Sequence, residues 1–371
     1  MPARVPTVGE PTFLFESWRG LYADSPRSLS ERVGRAWPSA RRVWVSADGT
    51  GGFPSDVRTV RRHTAAYFGR LLSADVLVAN DIISKHLLKG PRTTYVQMWH
   101  GTPLKLIGHD ERAHAYSGAA AHVKRMVRDV AKWDYLVSPS PECTRLFRSA
   151  FGYSGPVWET GYPRNDVLSS PDAGRIRTQV REQLGLHPEA LVVLYAPTWR
   201  DDDKDAEGSF RQSVMPDLDV LAEGLPDGAR LLMRTHKNVT APLPLERPDL
   251  VVDVSAHPEI AELYLAADVL VSDYSSAIFD FAVTRKPIVL FAPDLDRYRD
   301  DVRGLYFDYE TWAPGPVAVT DEELAAVLAD LDRVPPRYAP AYDDFLTRFC
   351  PYEDGHATER VLERVRSVLE D

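Results

Sequence analysis

The sequence predicts an α/β protein built from two successive parallel-sheet domains, and three observations carry that expectation. Short apolar runs alternate with helical patterns in two series along 371 residues, a length too great for one ordinary core. A polar stretch, Ser169-Ser-Pro-Asp-Ala-Gly174, separates the series and marks a point where the chain can change direction. Strand after strand also ends in Ser, His, Asp, Asn or Arg, as expected where parallel strands present their carboxyl edge to a ligand. The expected organisation is a first domain at residues 1–170, a second at 171–345 and a helical segment at 346–371.

Taken in order, Pro2, Pro6, Gly9 and Pro11 mark a loose start. Phe13–Phe15 is a first strand, followed by a loop from Glu16 to Gly20; Ser30–Trp37 is a short helix and Arg42–Ser46 a second strand. Val60–Leu72 is expected to be helical, with Tyr67, Phe68 and Leu71 on one side. Asp75–Ala79 is a third strand ending at Asn80-Asp81, and Thr94–Trp99 a fourth ending at His100-Gly-Thr-Pro103. A helix spans about residues 113–131, and Asp134–Val137 is a fifth strand that ends in Ser138-Pro-Ser-Pro141. Val157-Trp158 leads into Gly161-Tyr-Pro-Arg-Asn-Asp166.

The second series opens with a helix over Arg175–Leu184, for which Gly185 is a suitable C-terminal residue. Strands follow at Leu191–Tyr195, Arg230–Met233, Leu250–Asp253, Val269–Val271 and Lys286–Phe291, with a helix over Glu259–Ala266 between two of them. Asp201–Asp205 reads as an exposed acidic loop, and helices at Glu322–Leu331 and Ala357–Leu369 close the chain. The stretch Val269-Leu-Val-Ser-Asp-Tyr-Ser-Ser276 draws most attention. A buried strand stops at Ser272, Asp273, Ser275 and Ser276 just before the helical pattern of Ile278, Phe279 and Phe281. A strand running into a helix start offers unpaired N–H groups and partial positive charge to an anion. The same residues also suit a plain helix cap.

Composition narrows the function classes. A net charge of −10 argues against general nucleic-acid affinity. Cys143 and Cys350 lie far apart, with neither metal-ligand spacing nor the density of a disulfide framework. No apolar run approaches the roughly 20 residues needed to span a bilayer, and the start lacks a basic, apolar leader, so a cytoplasmic protein is expected. No GxGxxG follows the first strand, which counts against a dinucleotide redox enzyme.

Two histidines stand out. His100 directly follows a strand, with Gly101, Thr102 and Pro103 behind it, a setting for a general base or for a histidine bonded to backbone. His236, in Arg234-Thr-His-Lys237, has two cations beside it in sequence and suits a phosphate contact, or a solvated basic turn. Arg164, Arg200 after Thr198-Trp199, Arg234 and Ser255 are further candidates for contacts to phosphate, with Asn80, Asp81 and Asp280 as caps or supporting groups. His109, His114 and His122 lack the i, i+4 spacing of a helical metal site, so neither metal nor cofactor is expected.

Together these stretches resemble the CDP-glycerol glycerophosphotransferase family, the teichoic-acid primases and polymerases. The matching pieces are Trp99-His-Gly-Thr-Pro-Leu-Lys105, Trp133-Asp-Tyr-Leu-Val-Ser-Pro-Ser140, Gly161-Tyr-Pro-Arg-Asn-Asp166, Leu194-Tyr-Ala-Pro-Thr-Trp-Arg200, Arg234-Thr-His236 and Asp253-Val-Ser255. Asp268-Val-Leu-Val-Ser-Asp-Tyr-Ser-Ser276, Phe279-Asp-Phe281, Lys286-Pro287, Pro314-Gly-Pro316 and Asp354-Gly-His-Ala357 continue the series. The resemblance runs from about Phe68 to the C-terminus; Gly108-His-Asp110 and Lys237 depart from the family pattern.

The resemblance implies a GT-B arrangement of two Rossmann-like domains with a cleft between them. It implies attack by an acceptor hydroxyl on the β-phosphorus of CDP-glycerol or another CDP-alditol, with release of CMP. His100 would be the base and His236 would assist at the pyrophosphate. Gly101, Thr102, Arg164, Thr198, Arg200, Arg234, Ser255, Asp273, Ser275 and Ser276 would contact substrate. The acceptor would be lipid-linked or polymeric, and the enzyme would work at the cytoplasmic membrane face. The basic stretch Ala113–Lys132, with Lys124, Arg125, Arg128 and Lys132 beside Val123, Met126 and Val127, could rest on anionic headgroups or be an ordinary surface helix. A GT-B glycosyltransferase using a nucleotide sugar, or a non-catalytic scaffold with a nucleotide site, are the competing functions.

Overall fold

A computed structural model describes residues 10–49, 52–83, 88–111, 119–200, 212, 214–235, 239 and 247–370. The chain divides into two compact units. Unit 1 comprises Met1–His100, Ala120–Val167 and Pro351–Asp371, and unit 2 comprises Gly101–Ala119 and Leu168–Cys350. The chain therefore passes from one unit to the other directly after His100, again near residue 120, after Val167 and after Cys350.

Unit 1 holds a parallel sheet of seven strands: β1 (Thr12–Glu16), β2 (Arg41–Ser46), β3 (Arg58–Arg61), β4 (Val76–Ala79), β5 (Thr94–Gln97), β6 (Tyr135–Ser138) and β7 (Val157–Glu159), in the order β3-β2-β1-β4-β5-β6-β7. The register is set by apolar pairs such as Phe13↔Val76 and Phe15↔Val78 between β1 and β4. Successive residues of β4 and β5 are all buried, as expected of central strands covered on both faces. One face packs Phe13, Phe15, Trp44, Val76, Val78 and Val96 against Leu29 and Val33 of the helix Asp24–Ala36 and Val361, Leu362 and Val365 of the helix Ala357–Glu370. The C-terminal helix is thus part of the unit 1 core.

Unit 2 repeats the plan with β8 (Val192–Ala196), β9 (Arg230–Met233), β10 (Val251–Asp253), β11 (Val269–Ser272), β12 (Ile288–Phe291) and β13 (Val317–Ala318), ordered β10-β9-β8-β11-β12-β13 and parallel throughout. Val193, Tyr195, Leu231, Met233, Val269, Val271 and Val289 line one core face with Leu221, Leu324 and Leu328. Both units are Rossmann-like, as the sequence predicts.

Several elements differ from expectation. The stretch expected as a helix from Val60 begins as β3, an exposed edge strand, and the helix runs only over Ala65–Ser73 behind the cap Thr64. Two charged ends, Arg58 and Arg61, suit an exposed edge. The helix expected from Ser30 starts earlier, at Asp24, because Pro26 is tolerated in a first turn. Pro141–Phe151, for which the sequence predicts no element, is a helix. Ser140 accepts from the Cys143 N–H and Pro141 takes the first position, where its missing N–H costs nothing. Val334–Phe349 is helical despite Pro340 inside it. β5 stops at Gln97, two residues before the expected end, since Trp99 turns into the left-handed region with φ 52°.

Candidate active site

In each sheet the strand order reverses direction once, between β1 and β4 in unit 1 and between β8 and β11 in unit 2. Ligands of open α/β sheets bind outside the carboxyl ends of the strands at such a point. In unit 1 the two flanking loops carry Ser17-Trp18-Arg19 and Asn80-Asp81, with Trp99-His100 after the next strand. In unit 2 they carry Pro197-Thr-Trp-Arg200 and Asp273-Tyr-Ser-Ser276. His100, Thr198, Arg200, Asp273, Ser275 and Ser276 of the sequence-predicted site residues fall into these loops.

His100 is half-buried, and its Nδ1 lies 2.5 Å from the backbone carbonyl of Asn80. A carbonyl only accepts, so Nδ1 carries the proton and the neutral ring holds its lone pair on Nε2, as a base requires. The ring lies 4.3 Å from the Trp99 ring, nearly parallel, and 4.7 Å from the Trp18 ring. Beneath this turn runs a buried polar chain. The Trp99 N–H donates to Gln97 Oε1 at 2.9 Å, Gln97 Nε2 donates to the Tyr95 hydroxyl at 3.2 Å, and Tyr95 donates to Asp129 at 3.1 Å. Asp129 also accepts from Trp133 Nε1 at 2.7 Å and from the Ile83 N–H. Burial pushes the Asp129 carboxyl up to about 7, although these donors work against the rise. Burial likewise raises Glu16, against the opposing charge of Arg62.

In unit 2 the two loops at the reversal are held by ions. Arg200 is 1% exposed; it donates through Nε and Nη2 to Asp294 at 2.8 and 2.9 Å and through Nη1 to Asp273 at 2.9 Å. Asp273 in turn accepts from the N–H groups of Thr198 and Tyr274, and Tyr274 donates its hydroxyl to Asp294 at 3.0 Å. Burial disfavours the Arg200 charge, but Asp273 and Asp294 outweigh it and raise the guanidinium above its ordinary value. Burial would raise Asp294 too, yet the bonds from Arg200 bring its carboxyl below the usual range. Arg200 and Asp273, expected as substrate contacts, form a buried ion pair that ties the two loops together.

Arg164, in unit 1, is likewise buried in an ion pair. It is 7% exposed and donates through Nη1 to both oxygens of Asp24, at 3.3 and 3.2 Å. Its motif neighbours are structural as well: a Cβ on Gly161 would lie 2.4 Å from the Tyr352 carbonyl, and Asp166 accepts from the N–H groups of Ala357 and Thr358. Asp268 receives Arg177 and Arg181, while Lys286, lowered to about 8 by burial, donates to the carbonyls that end the helix Ile260–Ala266.

The residues that keep ligand-facing potential are smaller. Ser275 and Ser276 are half-buried; Ser275 Oγ accepts from the Ala277 N–H, and Ser276 makes no side-chain cap bond. Thr198 Oγ1 is buried without a hydrogen-bond partner among the described residues. Ser255 Oγ accepts from the Thr235 N–H, and half-buried Arg234 donates to the carbonyls of Val254 and His257, its charge disfavoured by burial. Gly101 has φ 152° and Thr102 is buried. His236, Lys237, His114 and the run 201–205 lie outside the described residues. Trp18 and Asp24 were not among the expected residues; a sequence signal for the first is a tryptophan two residues before Gly20 in the loop after the first strand.

Among the described residues no group of three or more His, Cys, Asp or Glu is placed to hold a metal ion, and no helix is long and apolar enough to cross a membrane.

The family model of CDP-glycerol:poly(glycerophosphate) glycerophosphotransferase matches residues 2–367, so the likeness includes the N-terminal segment where no motif was legible. The chain is 37% identical to the teichoic acid glycerol-phosphate transferase of Staphylococcus aureus (strain NCTC 8325 / PS 47), over 95% of this chain and 92% of that protein. It is 36% identical to the teichoic acid poly(glycerol phosphate) polymerase of Bacillus spizizenii (strain ATCC 23059 / NRRL B-14472 / W23), over 96% and 92%. It spans about half of the corresponding Staphylococcus epidermidis polymerase, 51% of that protein at 33% identity over 97% of this chain. The solved structure of the wall teichoic acid polymerase TagF superposes with a TM-score of 0.89 at 33% identity, covering 97% of this chain and 89% of that one.

Proposed function

We propose, from the premise that this chain belongs to the CDP-glycerol:poly(glycerophosphate) glycerophosphotransferase family, a division of labour between its two units. The protein is an enzyme that transfers glycerol phosphate from CDP-glycerol in teichoic-acid synthesis, to a polymeric or lipid-linked acceptor. Unit 1 supplies the base. An acceptor hydroxyl oxygen forms a bond to the β-phosphorus of the donor while the bond to the bridging oxygen breaks. CMP leaves with that electron pair, and the hydroxyl proton passes to His100 Nε2.

The observation that carries this reading is the bond from His100 Nδ1 to the Asn80 carbonyl, which makes Nε2 the basic nitrogen. Gly101 and Thr102 lead the chain away from that base. Unit 2 supplies the donor contacts: the Ser275 and Ser276 hydroxyls and adjacent N–H groups, Thr198, Arg234 and Ser255, with His236 assisting at the pyrophosphate by the family resemblance. Arg200 and Asp273 hold those loops in place rather than touching phosphate.

The helix Ala119–Val130 offers the membrane contact. Lys124, Arg125, Arg128 and, just beyond it, Lys132 are exposed beside Val127, whereas Met126 is turned into the core and takes no part. Replacing the four cations with Gln should abolish co-sedimentation with anionic vesicles; undiminished binding would contradict that contact. The function itself is tested by incubating purified protein with CDP-glycerol or CDP-ribitol and a lipid-linked disaccharide analogue, followed by mass spectrometry. Glycerol-phosphate increments with matching CMP are expected from CDP-glycerol. Transfer of a sugar from a nucleotide sugar, or no transfer from any CDP-alditol, would overturn the reading.

A further inference from the structure

Around His100 the backbone is strained in a way that no packing requirement of the sheet explains. Trp18, Arg19, Asp24 and Trp99 all take left-handed φ values, of 47°, 64°, 63° and 52°. Bulky side chains seldom adopt that region, and residues held there gather at functional sites when their surroundings over-determine them. The surroundings of Trp18 do so. Its backbone N–H donates to Asn80 Oδ1 at 3.1 Å and its indole N–H donates to Asp24 Oδ2 at 3.2 Å. Asp24 is pinned by Arg164, and Gly20 closes the loop where a Cβ would lie 2.2 Å from the Ala47 nitrogen.

The same Asn80 whose side chain holds Trp18 offers its carbonyl to His100. The Trp18 ring meets one side of the imidazole, and Trp99, wedged against Phe151 at 4.6 Å, meets it from its own side. The Nδ1 bond of His100 therefore rests on Asn80, whose side chain holds the first loop, and one of its ring contacts rests on Trp18 in that loop. We propose that Trp18, locked by Asp24 and Arg164, is a positioning device that keeps His100 Nδ1–H on the Asn80 carbonyl and so keeps Nε2 available as the basic nitrogen. The inference rests on His100 being the base. It assigns Arg164 to this strut, not to phosphate, and extends the functional part of the chain to its first loop. Misplacing a reacting group by about 1 Å can cost on the order of 100-fold in rate, so the strut should be visible in kcat.

The test combines steady-state kinetics with ¹⁵N spectra of the histidine rings, recorded above the imidazole pKa, for the wild-type protein and for Trp18→Ala, Trp18→Phe and Arg164→Gln. The wild-type His100 ring should show protonated Nδ1 and unprotonated Nε2. Trp18→Ala should mix the two tautomers and lower kcat about 10–100-fold, with the donor KM within about twofold. Arg164→Gln should change both readouts in the same direction. Trp18→Phe keeps an aromatic ring beside the imidazole but not the bond to Asp24, so it should lie between; it also serves if the alanine variant fails to fold. An unchanged tautomer and kcat in folded Trp18→Phe and Arg164→Gln would overturn the proposal. So would a raised donor KM at unchanged kcat in Arg164→Gln, which would make that arginine a phosphate ligand. His100→Ala retaining activity would instead remove the base, a separate failure, since the ring spectra still report whether the loop fixes the imidazole.

Discussion

The two units use one topology and place their ion pairs differently with respect to the site. At the reversal of the first sheet, a histidine meets a backbone carbonyl and two tryptophan rings, and the buried Asp24–Arg164 pair stands one contact further back, behind Trp18. At the reversal of the second, the loops are fixed by a buried guanidinium shared between two carboxylates. Under the proposed division of labour the difference has a physical reason. A base must keep a lone pair near neutral pH, and a carboxylate beside it would favour its protonated form. Loops that bind a pyrophosphate lose nothing from internal ion pairs, provided their outward donors stay uncommitted. Arg164 and Arg200 are therefore committed to buried ion pairs, and in the proposed reading the serine hydroxyls, Thr198 and Arg234 are left to meet the donor.

The largest effect expected from this contrast is on stability. Arg200→Ala leaves Asp273 and Asp294 buried without their cation and should cost about 3–5 kcal/mol of unfolding free energy, measured by denaturant titration. A phosphate ligand at that position would instead weaken donor binding and leave stability nearly unchanged.

Unit 1 should be the pH-sensitive half. Asp129 titrates at about 7 in the folded state against an ordinary 3.8, because burial favours its neutral form. The stability contributed by the neutral acid is complete below the unfolded value and is lost as pH rises through 7, by up to about 4 kcal/mol. Asp129→Asn should flatten that slope between about pH 4 and 7, read as the unfolding midpoint against pH. A parallel slope in the variant would place the titrating group elsewhere.

The effect expected of the ligand donors is on affinity, not on stability. Ser275→Ala with Ser276→Ala should weaken CDP-glycerol binding by about 1.5–3 kcal/mol per lost bond to a charged oxygen, with unfolding almost unaffected. Calorimetry showing unchanged affinity in the folded double variant would put the pyrophosphate elsewhere.

Much of this was legible in the sequence, and the rest has physical reasons for being hidden. Strand ends at Ala79, Met233 and Phe291 matched expectation because buried parallel strands are short apolar runs bounded by polar residues. β3 was missed because an edge strand of Arg-Thr-Val-Arg has no apolar face, and the helix that Pro141 opens was not assigned. In the site, the place of His100 after a strand could be read, as could the serine turn after β11. The commitment of Arg164 to Asp24 and of Arg200 to Asp294 could not. Those partners lie 140 and 94 residues away, and one sequence does not reveal which cation meets which carboxylate. Trp18 was hidden for the same reason: its importance comes from Asn80 and Asp24, not from its neighbours in sequence.

The central claim is that unit 1 contributes the base and unit 2 the donor contacts. Single-turnover transfer from CDP-glycerol, with donor affinity measured in parallel, tests it most directly when His100→Ala is set beside the Ser275/Ser276 double alanine variant. The histidine variant should lose about 10²–10⁴-fold in the chemical step with donor affinity near wild type, and the serine variant should lose affinity first. A folded His100→Ala protein that turns over at the wild-type rate while chemistry is rate-limiting would contradict the account.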